Sequence, residues 1–164
     1  MTRFALGIAL VLVACVNNGG GNGDDVIDPG ADVQPVAGAW SYSDTPVSDT
    51  CPGDVKTEES GTFAIDSVTA AGFRIVPGDG TDPFACDLSG GDFNCPDRVK
   101  DVEDLRPSVD AVITVHASAT GTFSSTAAGT GSQNANATCA GADCDIQGNV
   151  FPCSASVHFT IHTL

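Results

Sequence analysis

Positive charge is scarce in this sequence. Six Lys and Arg residues stand against 21 Asp and Glu in 164 positions. A nucleic-acid-binding surface needs a basic footprint, so that class is excluded. Electrostatic attachment to anionic lipid is excluded for the same reason. Long apolar runs are missing too. The longest, Phe4 to Ala14, has eleven residues, against about 20 for a spanning helix. Aromatic residues are few, with one Trp, one Tyr and eight Phe. No Gly-x-Ser-x-Gly occurs, and the Ser124-Ser125 pair lies in a Ser/Thr-rich stretch rather than a strand-to-helix elbow. No twelve-residue calcium loop with its terminal Glu is present.

At the N-terminus, Arg3 followed by the short apolar run reads as a secretory signal. Leu12-Val13-Ala14-Cys15 closes that run. It resembles the lipobox of bacterial lipoproteins, in which Leu, a small or aliphatic residue, Ala or Gly, and Cys follow one another. The resemblance covers residues 1–15. It implies cleavage before Cys15 and acylation of that residue, so the membrane partner would be reached through acyl chains. Two or more chains anchor stably where one does not. Residue 16 is Val rather than Asp, and the family's sorting rule then implies the outer membrane of the cell envelope. Three segments are expected: a signal at 1–14, a lipidated Cys with a flexible tether at 15–35, and a single β-rich domain at 36–164. The tether expectation rests on the Gly, Asn, Asp and Pro that fill residues 16–35. Without the signal, five basic residues remain against 21 acidic ones, and this acidity reads as solubility of an exported protein.

Seven Cys are present. Setting Cys15 aside leaves Cys51, Cys86, Cys95, Cys139, Cys144 and Cys153, an even set that implies disulfides in an exported domain. One pairing follows from a hairpin register. If the chain turns at Ser89-Gly90-Gly91-Asp92, Leu88 faces Phe93 and Cys86 faces Cys95. For the remaining four, Cys139–Cys153 with Cys51–Cys144 is the favoured combination, since the first bond would hold the last strand to its predecessor.

The folded part alternates with period two between Gly, Pro, Asp and Ser. Strands are expected at Val36–Tyr42, Gly61–Asp66, Gly72–Val76, Phe84–Leu88, Asp92–Cys95, Asp110–Ser118, Gly121–Ala128, Asn134–Cys139 and Ser154–Thr163. Pro96–Leu105 is the one helix candidate, because Val99, Val102 and Leu105 recur at helical spacing before Pro107. The expected fold is all-β: a disulfide-stapled antiparallel meander of about eight or nine short strands, barrel or sandwich, with at most one short helix.

Gly38-Ala39-Trp40 at the head of the first strand is similar to the Gly-x-Trp of lipocalins. The resemblance covers three residues and a compatible strand count. It implies an eight-stranded ligand-binding barrel closed at one end by Trp40. The sequence departs from that family in lacking its threonine-aspartate motif and a late Arg against the Trp, since the last basic residue is Arg106. The alternative is that Trp40 is a core anchor at a strand start. His158 and His162 share a strand face four residues apart, about 13 Å at ~3.3 Å per residue, too far for easy ligation of one zinc. With His116 they read as outward-facing polar residues. Asp79-Gly80-Thr81-Asp82 and the acidic residues from Asp97 to Asp104 read as solvated turns and surface rather than calcium ligands. Neither catalytic residues, nor a metal site, nor a cofactor is expected. The functional expectation is a monomeric, non-enzymatic interaction or structural module of the envelope. The alternative is a lipocalin-like carrier of a small apolar ligand.

Overall fold

β-branched and aromatic residues alternate with small polar ones through most of the chain, and each such segment pairs with its sequence neighbours. The computed structural model describes residues 32–51, 58–145 and 150–164. Eight strands are formed: β1 (Gly38–Asp49), β2 (Ser60–Thr69), β3 (Gly72–Pro77), β4 (Phe84–Ser89), β5 (Asp92–Asp104), β6 (Val112–Ser125), β7 (Ala128–Ala140) and β8 (Cys153–Thr163). They run up and down in sequence order, every pair antiparallel, and β8 closes on β1. The fold is therefore a closed all-β meander barrel, with no helix among the described residues. Closure removes the unpaired edges that an open sheet would expose. The expected signal segment, Cys15 and most of the expected tether lie outside the described residues.

The Pro96–Leu105 helix is not formed, and this stretch continues β5. Pairing with β6 runs on from Arg98↔Ala117 to Asp104↔Val112. Two register shifts, at Cys95/Arg98 and Val99/Asp101, absorb what would otherwise break the ladder. Pro96 falls within the first shift, where its missing N–H costs no ladder bond. Long-range pairing thus overrides the local helical spacing, and Val99 and Val102 end up exposed. The segments expected at Asp110–Ser118 and Gly121–Ala128 are mostly one strand, β6, and the turn falls later, at Thr126-Ala127.

The β4–β5 hairpin has the expected register, with Leu88↔Phe93, though Ser89 and Asp92 also pair and only Gly90-Gly91 form the turn. Both glycines have positive φ, 62° and 99°, as a tight hairpin turn requires. Cys86 is bonded to Cys95, with Cα atoms 4.1 Å apart. The other two bonds differ from the favoured combination: they are Cys51–Cys153 and Cys139–Cys144. Register explains the difference. The β1–β8 ladder ends at Asp49↔Ala155, and two residues further along each segment, past the Thr50 N–H bond to the Ser154 carbonyl, Cys51 stands opposite Cys153. On the other side of β8, Cys153 faces Ala137, not Cys139. Cys139 is left to close the short turn to Cys144.

One end of the barrel is filled. Trp40, Ile65, Phe73, Leu88, Phe93, Phe123 and Ile161 are buried together with the Cys86–Cys95 bond. Trp40 is fully buried, and its Nε1 donates to the Val36 carbonyl at 3.0 Å. Phe123 lies edge-on to Trp40 and Phe73, with centroids 5.8 and 5.4 Å away, the geometry aromatic pairs prefer. Residues 33–35, assigned to the tether by composition, run beneath this end. Val33 packs on the core and Pro35 is buried.

Candidate functional site

Above the filled end the lumen stays open. The cavity measures about 250 Å³ and opens at the rim opposite Trp40. Its apolar wall includes Phe63, Ile65, Phe73, Ile75, Phe93 and Phe159. Two glycines help to keep it open. Gly121 lies across from Phe93, and Gly131 across from Phe159. A Cβ at Gly121 would stand 2.5 Å from Phe93 Cζ, and one at Gly131 would stand 2.5 Å from Phe159 Cζ. Each ring therefore lies close against the bare backbone of the neighbouring strand, in the space a side chain would fill.

The mouth is polar. Tyr42, Asp44, Glu59, Asp79, Arg98, Lys100 and Gln133 line it or the wall below it. Arg98 reaches the lumen because of the β-bulge at Pro96. Phe93 and Cys95 are buried in the barrel interior, and strict alternation would send residue 97 inward. One extra residue on β5 between Cys95↔Ala119 and Arg98↔Ala117 reverses the parity, so Arg98 and Lys100 line the cavity while Asp97 is exposed. The Arg98 guanidinium carbon sits 3.8 Å from the centroid of the Phe84 ring. Burial pushes the Arg98 pKa down, against the nearby Asp79 charge, which raises it. Burial, then the charges of Asp44, Glu59 and Asp79, hold the Tyr42 hydroxyl above its usual value.

Two of the acids are tied to the loops. Asp44 Oδ1 accepts from the Glu59 backbone N–H at 2.9 Å. Asp79 Oδ1 accepts from the Thr81 N–H at 3.0 Å and from its hydroxyl at 2.8 Å, which holds the Asp79 carboxyl below its usual range. The Asp79–Asp82 segment is thus an Asx-type turn. Among the described residues no group of three or more His, Cys, Asp or Glu could hold a metal ion.

The histidines lie outside the barrel. His116 Nδ1 pairs with Asp97 at 2.8 Å, and His158 Nδ1 with Ser132 Oγ at 2.8 Å. His158 and His162 are both exposed on β8. Ser124 bonds the Ala128 carbonyl across the β6–β7 turn. No histidine lines the lumen. The comparison with known protein families, characterised proteins and solved structures gives no match.

Proposed function

We propose that this protein is a non-catalytic, membrane-tethered binding protein that carries a small, largely apolar ligand in its barrel. The observation that supports this is the open cavity of about 250 Å³, walled by aromatic and aliphatic side chains. A filled core would instead have favoured a purely structural or interaction module. The volume lies just below the ~300–1,000 Å³ of pockets that hold drug-sized ligands, which suits a small occupant.

Acylation at Cys15 anchors the chain, on this reading, to the envelope's outer membrane. Residues 33–36 pass beneath the Trp40 end, and the mouth lies at the opposite pole.

Native mass spectrometry of the full chain, purified from an exporting bacterial host, tests the carrier. A co-purifying small molecule at unit stoichiometry is expected. A bare protein that also takes up no added apolar compound contradicts the reading. For the anchor, Cys15→Ala should move the protein from the membrane fraction to the soluble one, and continued membrane fractionation would refute acylation there.

A further inference from the structure

The mature sequence has only five cations. Four lie among the described residues, and they divide into two kinds. Arg74 is held by Asp66 at 2.7 Å, and Arg106 by Asp104 at 2.6 Å, both on the outer surface. Arg98 and Lys100 join no ion pair among the described residues, and both line the lumen. In so acidic a chain, cations with no ion pair among the described residues are unexpected, and a half-buried one is costly unless something compensates it. The Phe84 face beneath the guanidinium supplies part of that compensation. Asp79 is close enough to act on both cations, but one of its oxygens is already taken by Thr81. Arg98 thus lines a cavity with an apolar wall, turned inward by a bulge, with its guanidinium over the Phe84 ring.

Resting on the carrier reading, we propose that the ligand is an amphiphile with one short apolar tail and one anionic head. Arg98 binds the head, Lys100 adds to the local positive potential, and the tail lies among Phe63, Phe73, Phe93 and Phe159. A carboxylate is the simplest head that fits. Guanidinium presents a planar fork matched to its two oxygens.

Calorimetric titration of the oxidised full chain with octanoate, 1-octanol and octylamine tests this. The three probes share a tail and differ in head charge. Octanoate should bind about tenfold to a hundredfold more tightly than 1-octanol, the range expected for a charge-assisted hydrogen bond. Added salt should narrow that difference without changing 1-octanol binding. Arg98→Gln should remove most of the preference, Arg98→Lys should retain more of it, and Lys100→Gln should reduce it by less. Lys100→Gln keeps the test open if Arg98→Gln fails to fold. Equal affinity for octanoate and 1-octanol would overturn the head-group assignment and leave the carrier standing. Tighter binding of octylamine would overturn it in favour of the acids at the rim. Binding of none of the three would overturn the carrier itself.

Discussion

The two ends of this barrel are held by different forces. At the closed end, Trp40, Phe73, Phe93 and Phe123 interlock with centroids 5.0 to 5.8 Å apart, and burial and dispersion do the holding. At the open end that packing gives way to a cavity. Two of the three disulfides stand there instead: Cys51–Cys153 joins the ends of β1 and β8, and Cys139–Cys144 ties the turn after β7. A covalent cross-link acts largely by restricting the unfolded chain, so it stabilises without filling space. The division lets one small domain keep both a packed core and an empty lumen.

The largest expected effect breaks the covalent end. Cys51 and Cys153 are 102 residues apart, and a loop of that length corresponds to about 4–5 kcal/mol in the chain-entropy account. Cys51→Ser with Cys153→Ser should lower the denaturant midpoint accordingly. If instead the loss is no larger than that from Cys139→Ser with Cys144→Ser, which closes a five-residue separation, the loop-length argument fails.

Trp40→Ala breaks the packed end and should cost about 3–5 kcal/mol. Its effect should persist under reducing conditions, whereas the effect of the Cys51/Cys153 pair should vanish there. Gly131→Ala sharpens the comparison at the boundary between the two ends. The added methyl meets both Phe159 and the Thr120 carbonyl. Overpacking of this kind costs about 1–3 kcal/mol, and the displaced ring should reduce ligand uptake by more than the stability loss alone explains. Unchanged uptake would show that the glycine does not keep the lumen open.

The smallest effect is electrostatic and belongs to the rim. Hydrogen bonds from the Arg106 guanidinium, then its backbone N–H, lower the Asp104 carboxyl to about 2 from an ordinary 3.8. This contact therefore contributes above pH 3.8 and is lost as the pH falls through about 2. Both side chains are exposed, so its weight is slight. A carboxyl titration by NMR should show the Asp104 midpoint rise in Arg106→Gln, and an unmoved midpoint would remove Arg106 as the cause.

Alternation along single strands was enough to expose most of the architecture. The β4–β5 register could be read because Gly90-Gly91 fixes the turn and two facing pairs, Leu88/Phe93 and Cys86/Cys95, agree on it. Elsewhere the information lies between strands. Gly121 looks like a break when read along the chain, yet it sits mid-strand because the Phe93 ring occupies the place of its missing side chain. Arg98 looks like part of an acidic helix face, since nothing local announces the bulge that turns it inward. The partner of Cys153 depends on which neighbour of β8 extends its ladder, a choice made by barrel closure. The cavity has the same origin, because the glycines across from Phe93 and Phe159 are placed by pairing rather than by spacing.

The central claim is that the lumen, and no outer face, receives the ligand. Methyl-resolved NMR of the full oxidised chain titrated with 1-octanol tests it most directly. The account predicts saturable shifts at Ile65, Ile75, Val157 and Ile161, which line the cavity, with Val99 and Val102 on the outer surface unmoved. Shifts confined to those outer residues, or none that saturate, would contradict it.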